Sequence, residues 1–137
     1  MTRDSTSLLL LHGVIVLFLG ALTGIPYWIV VIREWEPDAV RAWRVAHALL
    51  VADGVVMVMV ALALPVVGLT DAWGRFVAWN LIVSGYGFAW AFLLGAVTGH
   101  RALTPTSRIW DLFLFPGHFV GAVGSLLGLG ALLLGLL

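Results

Sequence analysis

A histidine and an aspartate, His47 and Asp53, lie in the run Arg41-Ala-Trp-Arg-Val-Ala-His-Ala-Leu-Leu-Val-Ala-Asp-Gly54, which continues into the apolar segment Val55 to Pro65. An ionisable group in a stretch this apolar is costly in hydrocarbon unless it pairs, ligates or titrates. His47 offers a neutral imidazole nitrogen, either as a hydrogen-bonding link between helices or as an axial ligand to heme or a metal. Asp53 must find an arginine, a histidine, a donor network or a proton, which makes it a candidate proton donor or shuttle. Six residues separate the two, about 120° around a helix and about 9 Å along it, so they do not stack as a pair on one face.

Other polar side chains interrupt apolar segments. His118 follows Pro116-Gly117 and can line a cavity or bond a backbone carbonyl freed by the proline. Tyr86, Ser84 and Asn80 supply hydroxyl and amide groups to a third segment, as interhelical bonds or as donors around a pocket. Trp43, one turn before His47, is placed to wall a flat cofactor, and His12 lies near the opposite end of the first segment, too far away to ligate the same group as His47.

Composition sets the elements that must carry these residues. Hydrophobic residues make up 62% of the 137 and charged residues 10%, with a mean hydropathy of +1.10, far from the roughly 45–50% apolar and 25% charged average of soluble domains. The chain reads as an integral membrane protein of the cell membrane. Seven Arg balance seven Asp and Glu, so no basic field exists to recruit nucleic acid. With no cysteine, thiolate catalysis, iron–sulfur clusters and zinc–cysteine sites are excluded. Any metal must be held by His, carboxylate or a porphyrin.

Four apolar segments, at about 7–32, 42–67, 76–97 and 111–137, each reach the roughly 20 residues needed to cross a bilayer. The first is longer than a signal-peptide core and lacks a small-x-small cleavage site, so it is read as a retained span. Short connections predict an all-α, four-helix antiparallel bundle with residues 1–137 as one transmembrane domain. Arg33, Arg41, Arg44, Arg101 and Arg108 flank the first and third loops, against Arg3 and Arg75 on the other side, which puts both termini outside. Counted along their helices, His47 lies roughly 8 Å deep, Asp53 roughly 17 Å and His118 roughly 10–14 Å from one side, so the three can surround a common cavity. Gly20 with Gly24, and Gly117, Gly121, Gly124, Ser125 and Gly128 in the last span, form small-residue faces for close helix approach.

His12-Gly13, Phe18, Gly24 and Trp28, then Ala46-His47, Asp53-Gly54 and Leu64-Pro65, then His100-Arg-Ala-Leu-Thr104, together resemble the small four-helix membrane family of styrene oxide isomerases. Ala-His followed six residues later by a polar residue and Gly is also similar to the related hydroxylaminobenzene mutases. The resemblance implies a homotrimer with heme b held between protomers, the residue matching His47 being the axial iron ligand. It implies an isomerase in which ferric iron acts as a Lewis acid on a small aromatic epoxide and a 1,2-shift gives an aldehyde. The alternatives are rearrangement of an aryl hydroxylamine to an aminophenol, and a non-catalytic heme-binding membrane protein. Two positions depart from the family. Asp53 stands where it has Asn, and Phe92 where the styrene oxide isomerases have Tyr, leaving Tyr86 to supply a replacement hydroxyl. A protonated Asp53 can donate as an amide does, whereas an ionised one would repel an alkoxide and favour a basic nitrogen.

Overall fold

The computed structural model describes residues 4–100 and 109–137. Arg3, Arg101 and Arg108, on which the expected orientation partly rests, and residues 101–104 of the third-loop motif lie outside the described residues. The described chain forms helices α1 (Ser5–Leu22), α2 (Gly24–Ile32), α3 (Pro37–Val67), α4 (Asp71–Thr98) and α5 (Ile109–Leu136). Together α1 and α2 make one span, and α3, α4 and α5 one each, all four long and apolar enough to cross a membrane. At about 1.5 Å per residue, the 31 residues of α3 extend to about 46 Å, well beyond a hydrocarbon core of about 30 Å.

Local chemistry explains where the helices begin and end. Asp4 caps α1 by accepting the Ser7 backbone N–H at 2.7 Å, and that hydrogen bond holds its carboxyl below the ordinary range. Proline at N1 starts α3 at Pro37, five residues before the span boundary read from hydropathy, because a first-turn residue needs no N–H partner. Thr70 caps α4 through the Trp73 N–H, which moves that start to Asp71. Gly68 and Gly99 close α3 and α4 at φ 71°, a left-handed conformation that costs glycine nothing.

The first span is broken at Thr23. Pro26 has no N–H to offer the Leu22 carbonyl four residues back, so α1 stops there and α2 restarts with its proline in the first turn. The Gly20 carbonyl, in the last turn before the break, accepts hydrogen bonds from side chains.

Lipid tails are as apolar as the side chains, so packing rather than water exclusion must hold these helices together. α1 lies antiparallel on α3 with Gly13 at Met57 and Val58, Gly54 at Leu17, and Gly20 at Leu50 and Val51, and the first residue of α2, Gly24, meets His47. The expected stripe on α5 does the same against α4: Gly117 faces the Gly87 carbonyl, Gly121 the Phe88 ring, Gly124 the Asn80 carbonyl and Gly128 Leu81. Ser84 donates to the Gly121 carbonyl at 2.7 Å and Trp73 Nε1 to the Ala131 carbonyl at 2.9 Å, adding polar ties across that pair.

The expected four-span antiparallel arrangement is present, with uneven packing. Two tight pairs, α1 with α3 and α4 with α5, are joined because α4 also contacts α1 and α3. The buried core runs along this junction through Leu9, Val16, Leu50, Met57, Val77 and Leu81. α5 packs on α4 alone among the principal helix contacts, which leaves a crevice between α5 and the first turns of α3.

Candidate functional site

His47 projects from α3 toward the break between α1 and α2. Its Nδ1 lies 2.9 Å from the Gly20 carbonyl, an acceptor only, so Nδ1 carries the proton. Thr23 Oγ1 donates to the same carbonyl and sits 3.5 Å from Nδ1. The consequence is a fixed tautomer, with the lone pair on Nε2, which has no hydrogen-bond partner among the described residues. Tyr27 stacks on the imidazole with centroids 6.1 Å apart and planes 22° from parallel. Gly24 makes room for the ring, since a Cβ there would lie 3.2 Å from His47 Cε1. The imidazole is half-buried. With α3 starting at Pro37, His47 lies ten residues in, about 15 Å along the helix from its first residue.

Asp53 takes the face of α3 that turns toward α4. A Cβ placed on Gly85 would meet Asp53 Oδ2 at 3.2 Å, Met57 Sδ at 2.8 Å and Val16 Cγ2 at 3.2 Å, so the carboxyl lies where α1, α3 and α4 converge. Oδ2 is buried and has no hydrogen-bond partner among the described residues. A buried oxygen in that condition is costly, and a ligand donor or a proton would satisfy it.

Tyr86, expected to supply the hydroxyl missing at Phe92, is turned toward α1. Its OH is 2.8 Å from His12 Nδ1, the two rings meeting edge to face at 5.6 Å. This pairing went unread in the sequence because its members are 74 residues apart; the polar atom in each apolar span was its only signal. Phe92, six residues along α4 and about 120° around it, faces another direction. There it stacks on Phe88 at 5.5 Å and meets the His118 ring edge to face at 5.3 Å.

His118 forms no hydrogen bond among the described residues, so the carbonyl-capping alternative is not realised there. It lines a cavity of about 250 Å³ in the α3–α5 crevice with Ala42, Val45, Phe92, Gly95 and His100. Trp43 borders a second space of about 540 Å³, between α2, the start of α3 and the end of α4, with Pro26, Trp35 and Val97. His47 and Asp53 line neither cavity. Of the three residues expected to surround a common cavity, only His118 borders either of these two spaces, as the described residues line them. Val45 projects about 160° away from His47 around α3, and a helix cannot aim both into one space.

Among the described residues no three His, Asp or Glu side chains group to hold a metal ion. What the arrangement offers instead is one imidazole nitrogen with a fixed lone pair, and one buried carboxyl oxygen in need of a donor.

The chain matches the family model described as styrene oxide isomerase over residues 5–137. No curated protein matches it. A match over nearly the whole chain makes it a member of the styrene oxide isomerase family, and isomerase activity follows from that membership.

Proposed function

We propose, from membership of the styrene oxide isomerase family, that this protein is a heme b-dependent isomerase of the cell membrane that converts a small aromatic epoxide into an aldehyde. The observation carrying the reading is the His47 tautomer. Nδ1–H is committed to the Gly20 carbonyl, so Nε2 is left as a neutral, oriented donor to iron. The fit is also steric, because glycine at position 24 leaves the ring unobstructed and half-open to a flat partner. His47 would hold the heme, which would supply Lewis-acid chemistry toward an epoxide oxygen.

The chain's own residues then have three tasks. His47, steadied by Gly20, Thr23 and Tyr27, keeps the ligating nitrogen in place. The apolar spans exclude water and admit a hydrophobic substrate from the bilayer, so charge developing on an opened ring meets few competing dipoles. Asp53, with its unsatisfied Oδ2, acts as the polar group beside the reacting atoms, donating one hydrogen bond when protonated. The rearrangement breaks one C–O bond, moves a substituent to the neighbouring carbon and forms a C=O bond, with no net oxidation.

The family resemblance, rather than the placement of Asp53 and His47 on α3, supports a homotrimer; cross-linking in native membranes tests for three copies. Trp43 and His118 border spaces near the same end of α3 and are proposed as walls of the cofactor or substrate pocket. Tyr86 is proposed as a weaker pocket hydroxyl, oriented by its bond to His12.

A second reading rests on Asp53. A carboxyl can take a proton from nitrogen where an amide cannot, which favours an aryl hydroxylamine rearranging to an aminophenol. Purified protein given each substrate separates the two by product, and bound heme without turnover of either would indicate a non-catalytic heme protein. The test of the cofactor is a Soret band after heme-replete expression, lost in His47→Ala. A band unchanged in that variant would refute the assignment. For Asp53, activity kept in Asp53→Asn and lost in Asp53→Ala is expected; full activity in both would remove it from the reaction.

A further inference from the structure

Arg44 sits one turn before His47 on the same face of α3, inside a membrane span, and no carboxylate is paired with it among the described residues. Its surroundings are built rather than incidental. Nε donates to Tyr27 OH at 3.2 Å, and the guanidinium carbon stands 6.0 Å from the centroid of the Tyr27 ring that stacks on His47. Tyr27 therefore ties the arginine and the imidazole into one assembly and steadies the guanidinium by its Nε edge. The terminal nitrogens have no hydrogen-bond partner among the described residues, and the side chain is exposed. A planar fork with free donors, positioned before anything binds, is suited to a carboxylate or phosphate oxygen pair. By contrast Arg41, one turn nearer the loop, has Asp38 Oδ1 at 3.8 Å.

Resting on the reading of His47 as heme ligand, we infer that Arg44 binds a propionate carboxylate of the heme held at His47. Arg44 lies on the loop side of His47, so the cofactor's two charged groups would point toward the membrane surface and its apolar edge toward the bilayer centre. Orienting an amphipathic porphyrin this way avoids placing carboxylates in hydrocarbon. A phosphate of an anionic lipid presents the same chemistry to the fork, and the test separates the two sources.

Apo-protein in phosphatidylcholine nanodiscs is titrated with hemin and with hemin dimethyl ester, which keeps the iron but lacks the carboxylates, and binding is read from the Soret band. Wild type is expected to bind hemin more tightly than the ester by on the order of 10- to 100-fold. Arg44→Gln should lose that preference while binding the ester as wild type does, which also shows that the variant is folded. Arg44→Lys, retaining charge without the fork, should fall between them. Equal binding of hemin and ester by wild type, or a preference unchanged in Arg44→Gln, would overturn the role of Arg44 and leave His47 as ligand. If Arg44→Gln weakens both porphyrins alike, the residue is structural and the inference fails. Failure of wild type to bind either porphyrin would overturn the His47 reading as well. Repeating the titration in phosphatidylglycerol nanodiscs should preserve the preference; its loss would assign Arg44 to lipid phosphate and overturn the inference.

Discussion

Gly54→Ala tests whether the close approach of α1 and α3 is what positions His47. A Cβ on Gly54 would collide with the Leu17 backbone nitrogen and lie 2.5 Å from Leu17 Cα and 2.7 Å from its Cβ. Backbone cannot swing aside as a side-chain tip can. Restoring ordinary contact near 3.4 Å requires the helices to separate by roughly 0.9 Å. Overpacking of this kind costs about 1–3 kcal/mol. The same separation, carried one turn along α1 to Gly20 and two turns along α3 to His47, would stretch the His47 Nδ1 to Gly20 O hydrogen bond from 2.9 Å to roughly 3.8 Å, out of bonding range. Losing that bond adds about 1 kcal/mol, for a total of about 2–4 kcal/mol. Gly130→Ala is the matched control, because a Cβ there meets nothing within 4 Å and alanine is the better helix former. Reversible unfolding in mixed micelles measures both variants, and nitrogen NMR of the imidazole reads the His47 tautomer. An unfolding free energy for Gly54→Ala within about 0.5 kcal/mol of Gly130→Ala would refute the packing argument. An unchanged His47 tautomer in a destabilised Gly54→Ala would refute the link from packing to the imidazole.

Two further perturbations follow from the capping and break geometry. Pro26→Ala restores an N–H to the Leu22 carbonyl and should heal the break at Thr23, drawing the Gly20 carbonyl into the helix; the expected result is loss of the fixed Nδ1–H tautomer of His47 by NMR. At the N-terminus, the Ser7 N–H depresses the Asp4 carboxyl in the folded state, so its stabilisation is complete above the unfolded carboxylate pKa and lost as pH falls through the lower, folded value. Wild type should therefore unfold later than Asp4→Ala at neutral pH, with the gap narrowing on acidification, and a pH-independent gap would refute the capping role.

Much of the architecture was legible in residue types alone. Only an apolar run of some 20 residues can cross a bilayer with its backbone satisfied, so four such runs dictate four spanning helices. The glycine stripes of α1 and α5 were equally readable, because in lipid close helix approach depends on small side chains. Helix starts were less so. Pro37 and Thr70 extend α3 and α4 beyond their apolar runs, since capping chemistry rather than hydropathy decides where the backbone turns. That extension lengthens α3 outside its apolar run and sets His47 ten residues from the helix start.

The sequence by itself determined the class of the protein, its four spans, its small-residue faces and the presence of His47 and Asp53 where hydrocarbon makes polar groups costly. Only the tertiary structure decided their partners. His47 bonds the Gly20 carbonyl 27 residues away, Tyr86 bonds His12 on α1, His118 meets Phe92, and Asp53 Oδ2 meets Gly85 without a donor. The physical reason is that these helices are apolar nearly all round, to suit lipid on one side and protein on the other, so their periodicity does not reveal which face is inside. Which polar atoms meet is then set by which glycines let the backbones close.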